Sequence, residues 1–270
     1  MKLAKKISTA ALAFLLAAGM MAGCASRNNE NGQSSRPSSE TPSDNPSSSA
    51  SAGQELSPVD QLGKPQKGQQ VATIKVQGYG DIKIMLFPEV APKGVENFVG
   101  LAKKGYYDGL KFHRVIKDFM AQTGDPKGNG TGGESVWGKG FGVEFDGRLR
   151  HYTGAVAYAN SGQPDTNGSQ FFLVNAPKIS ESDLNYLAQA MPARGIDVSF
   201  PDDVKKNYET VGGSASLDGQ YTVFGQIYEG LDVLQKMMDA EMKENSMGEQ
   251  ASPVKDIIME SVTISTYEGE

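Results

Sequence analysis

The stretch of sequence that decides the fold lies at residues 112–125 and reads FHRVIKDFMAQTGD. Two later stretches share its character: residues 167–174 read NGSQFFLV, and residues 217–225 read LDGQYTVFG. All three combine aromatic and β-branched residues with glycine, which is typical of short strands that end in tight turns. The first stretch also carries an arginine, Arg114, between His113 and Val115.

Side chains alternate between the two faces of a strand. Gln170 and Phe172 are therefore predicted to share one face of their strand, and Phe171 to point the other way. The same rule places Phe112 and Arg114 on one face. Phe172 can then line a surface groove while Phe171 fills the core.

On the amino-terminal side of these stretches, alternating apolar residues predict a β-hairpin at residues 72–86. Helical spacing then predicts a helix from Pro92 to Gly105. A second helix is predicted around residues 231–238, and two short helices within an inserted segment at 178–216. Further strands are predicted at residues 111–116, 154–159, 170–174, 221–227 and 257–266. Short strands without regular β-α-β alternation predict a mainly β class, an antiparallel barrel or sandwich with a few covering helices.

Composition excludes several kinds of site. The single cysteine excludes an intrachain disulfide and a cysteine-rich metal site, and two histidines leave little material for a metal centre. A formal net charge of −6 argues against nucleic acid as the main partner. The Gly-rich run at residues 128–142 lacks the Gly-Lys-Ser/Thr ending of a phosphate loop, so no nucleotide is expected. No cofactor or metal is predicted.

The amino-terminal part predicts export and lipid attachment. Residues 1–23 combine early lysines with an apolar stretch at 10–18, as signal peptides do. They end at Cys24 in Met-Ala-Gly-Cys, which resembles the bacterial lipobox, where the cysteine is acylated. The alternative is an ordinary cleaved signal with a stray thiol. Residues 24–68 are predicted to be a disordered tether rich in serine, proline and asparagine, and residues 69–270 the folded domain.

Taken together, the three stretches resemble the cyclophilin-type peptidyl-prolyl cis-trans isomerases, over about residues 69–267. The resemblance implies a closed eight-stranded antiparallel barrel capped by two helices, with a peptide groove on its outer face. The inserted helices at 178–216 resemble an elaboration of bacterial members.

The resemblance also implies the site. The catalytic arginine of the family falls on Arg114. Tyr221 stands where many members have histidine, and Ser216 where cyclosporin-sensitive members have tryptophan, which argues against strong cyclosporin binding. The residues implied to bind substrate are Phe119, Met120, Gln122, Gly130, Ala159, Asn160, Ser161, Gln170, Phe172, Leu217 and Tyr221.

These residue types suit rotation about an X–Pro bond. Amide resonance imposes a barrier of about 18–20 kcal/mol, and no covalent bond has to be made. A donor aimed at the prolyl nitrogen helps only when the amide is twisted, and arginine is an always-charged donor. Aromatic and thioether side chains can hold the proline ring. Taken alone, an arginine on a barrel strand is more often a solvated or salt-bridged surface residue.

The leading prediction is a monomeric, lipid-anchored isomerase that acts on proline-containing exported polypeptides at the outer side of the bacterial cell membrane and assists their folding. The alternative is a proline-peptide binding or holdase chaperone module whose isomerase activity is incidental. A solute-binding lipoprotein fits the anchor but not the domain, since the pattern shows no sign of two α/β lobes.

Overall fold

The computed structural model of the protein describes residues 58–269. The predicted signal peptide, the predicted lipid site Cys24 and most of the predicted tether lie outside these residues. Within residues 58–269, no helix has the length and apolar character needed to cross a membrane.

The described residues form ten strands and four α-helices. The strands are β1 (Gln70–Val76), β2 (Gly80–Leu86), β3 (Arg114–Ile116), β4 (Met120–Thr123), β5 (Ala155–Tyr158), β6 (Phe171–Val174), β7 (Val223–Glu229), β8 (Met242–Glu244), β9 (Gln250–Pro253) and β10 (Met259–Thr266). The helices are α1 (Pro92–Lys103), α2 (Glu181–Ala190), α3 (Asp202–Val211) and α4 (Leu231–Met238).

Eight strands pair antiparallel in one curled sheet, in the order β10-β1-β2-β7-β5-β6-β4-β3. β8 and β9 form a separate hairpin, which the sequence pattern had not predicted. The mainly β class is confirmed. Between the two edges, the described residues show a single bridge, Lys111 with Ile258, rather than a ladder between β3 and β10. Closure into a complete barrel therefore stays a prediction.

The sheet has an apolar cluster on each face. Phe171 packs in the inner core with Phe98 and Phe224, whereas Phe172 belongs to a second cluster on the outer face. The predicted alternation along β6 is thus confirmed. The same prediction was wrong for Phe112, which is fully buried in the inner core. Regular strand geometry begins only at Arg114, so alternation does not extend back to residue 112.

The helices lie where the spacing predicted them. α1 begins with Pro92 at its first turn and buries Val95, Phe98 and Leu101 against the sheet. α4 covers the sheet with Leu234 and Met237. Two helices therefore pack on the inner core, as predicted.

The inserted segment at 178–216 contains α2 and α3, also as predicted. Leu184, Met191 and Tyr208 form a third apolar cluster with Tyr152, which belongs to the loop before β5. The rings of Tyr152 and Tyr208 lie 4.6 Å apart between their centroids. The insertion is thereby packed against the loop before β5.

The folded part begins earlier than the predicted boundary at residue 69. Gln61 is buried, and its side-chain amide donates to the carbonyl of Arg150 at 2.7 Å and to the side chain of Gln226 at 3.0 Å. Val59 packs against the outer-face cluster. Residues 58–68 lack the strand and helix patterns that the prediction relied on, but they are held by these tertiary contacts.

Candidate active site

An apolar cup lies on the outer face of the sheet. Its members are nearly buried, with exposures of 1% for Met120, 4% for Phe172, 7% for Leu217 and 9% for Tyr221. The rings of Phe172 and Tyr221 meet edge to face, 5.7 Å apart. Phe119, in the turn before β4, packs against the same cluster and is partly exposed. We call Phe119, Met120, Phe172, Leu217 and Tyr221 the proline cup, after the ring that the resemblance predicts they hold.

Arg114 lies at the rim of this cup. It opens β3 and pairs across the ladder with Gln122 of β4. Its Nη1 atom is 4.0 Å from the Sδ atom of Met120. The residue is 7% exposed, so its charge acts at the edge of an apolar surface rather than in bulk water.

Glu249 holds the other edge of the guanidinium. Arg114 donates from Nε to Oε2 and from Nη2 to Oε1 of Glu249, each at 2.7 Å. This bidentate geometry is the strong form of the arginine–carboxylate pair. The hydrogen bond from Arg114 lowers the pKa of Glu249 below its ordinary value, so the carboxylate stays charged.

Sequence reasoning missed Glu249. The residue lies 135 positions from Arg114 in the loop between β8 and β9. No periodicity or motif at residues 242–253 distinguishes it. Only a prediction that this hairpin returns beside β3 could have found it.

A chain of polar groups runs along one side of the cup. Gln122 donates from Nε2 to the side chain of Gln170 at 2.9 Å. Gln170 in turn donates to the carbonyls of Gly130 at 3.1 Å and Gly132 at 2.8 Å. The structure thus brings three predicted contact residues, Gln122, Gln170 and Gly130, together beside Arg114.

Asp125 shapes the loop that carries Gly130. Its carboxylate accepts backbone hydrogen bonds from Lys127 at 2.8 Å, Asn129 at 3.0 Å and Gly130 at 2.6 Å. Burial alone raises the pKa of Asp125, but these backbone donors outweigh burial and lower its pKa overall. A charged Asp125 therefore folds this loop toward Gln170.

The predicted contacts Ala159, Asn160 and Ser161 lie beyond the cup. Ala159 packs against the outer-face cluster, and Asn160 donates to the carbonyl of Gln220 at 3.2 Å. Asn160, Gln220 and Tyr221 line an open cleft of about 370 Å³. Ser161 is exposed, and its backbone N–H donates to Thr166 at 3.2 Å. Ser161 is thus the most peripheral of the predicted residues.

Unlike Glu249, the neighbouring side chains Tyr221 and His113 have pKa values shifted toward their neutral forms. Burial raises the pKa of Tyr221, although the charge of Arg114 acts in the opposite direction. Burial lowers the pKa of His113, and neither of its ring nitrogens has a hydrogen-bond partner among the described residues. Arg114 therefore supplies the positive charge at the cup, and the apolar walls can receive an uncharged ring.

The arrangement suits binding and polarisation rather than covalent chemistry. The walls of the cup can hold a proline ring by burial of apolar surface. The Nη1 group of Arg114 can donate to an amide at the rim. Within residues 58–269, no cluster of three or more His, Cys, Asp or Glu could hold a metal ion.

Comparisons with known proteins identify the family to which the chain belongs. The family model described as cyclophilin type peptidyl-prolyl cis-trans isomerase/CLD matches residues 71–264. A curated protein of Staphylococcus haemolyticus (strain JCSC1435), assigned as a peptidyl-prolyl cis-trans isomerase, is 42% identical over 204 residues, which are 76% of this chain and 96% of that protein. A protein of Staphylococcus aureus (strain USA300) with the same assignment is 41% identical over the same shares.

Solved structures agree. A crystal structure of a cyclophilin type peptidyl-prolyl cis-trans isomerase from Cryptosporidium parvum is 28% identical, with a TM-score of 0.56, and covers 74% of this chain and 99% of that one. The same enzyme, determined in the presence of the dipeptide Ala-Pro, covers 73% of this chain with the same TM-score. The chain belongs to the cyclophilin-type peptidyl-prolyl cis-trans isomerases.

Proposed function

We propose that this isomerase turns X–Pro bonds in exported polypeptides at the outer side of the membrane, with Arg114 as its catalytic residue. One observation carries the assignment of Arg114. Its Nη1 atom lies 4.0 Å from Met120, at the rim of the proline cup, while its other edge is fixed by Glu249.

The catalytic step requires no covalent intermediate. With the proline ring in the cup, the preceding carbonyl rotates and the amide loses its resonance. The prolyl nitrogen then regains a lone pair that can accept from Arg114. Because this hydrogen bond exists only in the twisted state, it lowers the barrier without tightening substrate binding. Each tenfold gain in rate corresponds to about 1.4 kcal/mol.

Substrate recognition follows from the groups around the cup. The ring is held by Phe119, Met120, Phe172, Leu217 and Tyr221. Gln122 and Gln170 carry amides that can pair with the peptide backbone on one side. Asn160 and the cleft beside Tyr221 extend the surface on the other side. The related Cryptosporidium enzyme, determined with Ala-Pro, supports a proline-containing peptide as the ligand.

The proposed location rests on residues 1–24. A signal peptide followed by Cys24 would place the mature protein outside the cytoplasm and attach it to the bilayer by acylation. Two or more acyl chains give stable attachment, whereas one gives marginal binding. Freshly exported chains refold there, and uncatalysed X–Pro isomerisation takes tens of seconds or more.

The catalytic role of Arg114 is tested by peptide isomerisation, followed by a protease-coupled assay or NMR exchange. We expect Arg114→Ala to lower kcat/KM about 100-fold, as loss of one transition-state donor typically does. Lys117→Ala is the matched control, since it removes a nearby exposed cation that pairs with Asp239 at 2.7 Å, away from the cup. Wild-type turnover by the Arg114→Ala protein would refute the assignment.

The lipid anchor is tested separately. Cells that express the full chain are labelled with a palmitate analogue, and membrane and soluble fractions are compared. The wild-type protein should carry the label and stay with the membrane, whereas Cys24→Ala should lose both properties. Label on the Cys24→Ala protein would contradict attachment at this residue.

A binding role without selected catalysis would use the same apolar cup, because the cup by itself can hold a proline ring. Complementation separates the two functions. If the Arg114→Ala protein binds peptide as tightly as wild type and restores folding of exported proteins in a deletion strain, the holdase alternative is supported over isomerisation.

A further inference from the structure

We propose that Glu249 is a positioning residue for the isomerisation, which holds the guanidinium of Arg114 so that its Nη1 group faces the proline cup. This inference rests on the proposed catalytic role of Arg114. It assigns a functional part to the β8–β9 hairpin, which supplies no residue to the predicted site.

The geometry of the ion pair fixes the orientation of the guanidinium. A guanidinium is a rigid planar fork, so fixing two of its nitrogens fixes its plane. Glu249 accepts from Nε and Nη2, both at 2.7 Å. The remaining nitrogen, Nη1, is the one that lies against Met120. The carboxylate therefore occupies the edge of the fork away from the cup and leaves the cup open to substrate.

Glu249 is itself held in place by its own loop. Its backbone N–H donates to Oδ1 of Asn245 at 3.0 Å, and its Oε2 atom accepts from Nδ2 of Asn245 at 3.0 Å. Asn245 also accepts from the backbone of Met247 at 2.9 Å. Gly248, with φ of 77°, gives the loop the turn that brings Glu249 back toward Asn245. The loop thus presents the carboxylate in a fixed direction.

Backbone and side-chain contacts join the β8–β9 hairpin to the segment before β3. The segment before β3 pairs with the residues that follow β9. Phe112 donates from its backbone N–H to the carbonyl of Ile257 at 2.9 Å, and Lys111 lies 3.7 Å from Asp256. Arg114 and Glu249 therefore lie on elements that are joined close to the site, so the ion pair does not depend on a free loop.

An ordered guanidinium matters because a free arginine side chain has many rotamers. A donor that must be found among these rotamers during the reaction loses rate, whereas a donor already in place does not. If the carboxylate acted mainly by neutralising the positive charge of Arg114, it would slow the reaction, and removing Glu249 would raise the rate. The two effects make opposite predictions for removal of Glu249, which allows a decisive test.

The experiment measures kcat and KM for an X-Pro peptide with the full chain and with Glu249→Ala, Glu249→Gln and Glu244→Ala. We expect Glu249→Ala to lower kcat about tenfold and to leave KM nearly unchanged, since the lost order concerns the transition state. Glu249→Gln keeps one acceptor and should recover part of the rate. Glu244→Ala removes an exposed carboxylate of the same hairpin and should match wild type.

A double-mutant comparison shows whether Glu249 acts through Arg114. In the Arg114→Ala background, removing Glu249 should cause no further loss of kcat. A further loss of the same size would overturn the inference, because it would show that Glu249 supports the hairpin or the cup instead. Thermal unfolding of each variant checks the fold, and Glu249→Gln provides the test if Glu249→Ala does not fold.

Failure of this inference can be told apart from failure of the proposed function. If Arg114→Ala is inactive but Glu249→Ala has wild-type or raised kcat, the positioning role is wrong and the catalytic role of Arg114 stands. If Arg114→Ala is as active as wild type, the proposed catalytic residue itself is wrong, whatever Glu249→Ala does.

Discussion

Two arginine–carboxylate pairs flank the proline cup, and they differ in almost every physical respect. Arg114 and Glu249 form a bidentate pair at 2.7 Å, with side-chain exposures of 9% and 26%. Arg150 and Asp218 lie 3.4 Å apart, with exposures of 5% and 0%. The first pair is at the rim of the cup, and the second is beneath it.

The partners of Asp218 show what the deeper pair does. Besides Arg150, its carboxylate accepts from the hydroxyl of Tyr208 on α3 at 2.8 Å and lies 2.8 Å from Nδ1 of His151. The His151 ring in turn stacks on Phe172, with centroids 6.1 Å apart. Asp218 therefore joins the inserted helices, the loop before β5 and the floor of the cup in one buried network.

The difference teaches that burial decides which property an ion pair controls. A buried carboxylate that loses a charged partner is left without solvation, so its network affects the free energy of unfolding. A pair that is open to solvent on one side contributes less to stability but can still fix the direction of a donor. We expect Arg150–Asp218, the deep pair, to govern the free energy of unfolding. We expect Arg114–Glu249, the rim pair, to govern the rate of isomerisation.

The largest expected effect is on the deep network. Asp218→Asn should lower the free energy of unfolding by about 3 kcal/mol, because Arg150 would remain charged and buried without its partner. Urea denaturation measures the change. Asp197→Asn, an exposed residue of the same insertion, is the control and should leave stability unchanged. A loss for Asp218→Asn as small as that of the control would show that the network does not hold the insertion.

The next effect concerns rate at the rim pair. Arg114→Lys keeps the positive charge but loses the planar fork that Glu249 holds. We expect kcat/KM to fall at least about tenfold, while urea denaturation shows little change in stability. The result that would break the comparison is a variant with wild-type kcat/KM, since charge alone would then suffice.

A smaller effect should appear in the pH dependence of stability. The pKa of Glu249 is lowered from its ordinary value of 4.5 by the hydrogen bond from Arg114. The pair therefore contributes fully above that ordinary value, and its contribution is lost as the pH falls through the lowered pKa of the folded state. Wild type should be more stable than Glu249→Gln at about pH 6, and this advantage should shrink once the pH falls below 4.5 and disappear below the lowered pKa of the folded state. An advantage that grew on acidification would contradict the assigned sign.

The smallest effect is expected for an exposed ion pair, which serves as the reference for the two pairs at the cup. Lys236 and Asp232 form an exposed pair on α4 at 2.8 Å. Asp232→Asn should change neither the free energy of unfolding nor kcat/KM within error, since solvent and salt screen such pairs. If it lowered stability as much as Asp218→Asn, burial would not be the variable that separates the pairs.

Local pattern determined much of this protein from sequence alone. Alternation separated Phe171 from Phe172, and helical spacing found the two short helices of the insertion, because both depend on neighbours within a few residues. The resemblance placed Arg114, Met120 and Phe172 in one motif set, and the structure brings them together at one cup. Alternation failed at Phe112, where the strand is not yet regular.

Tertiary structure decided the rest. Nothing near Glu249 in the chain indicates that it meets Arg114, and nothing near Asp218 indicates that it binds Tyr208 and His151. Gln61 likewise falls within the predicted tether, and only its hydrogen bonds to Arg150 and Gln226 place it in the folded part. Ion pairs and buried hydrogen bonds form through space between elements distant in sequence. Their partners follow from how the sheet curls and where the loops return, which local periodicity does not encode.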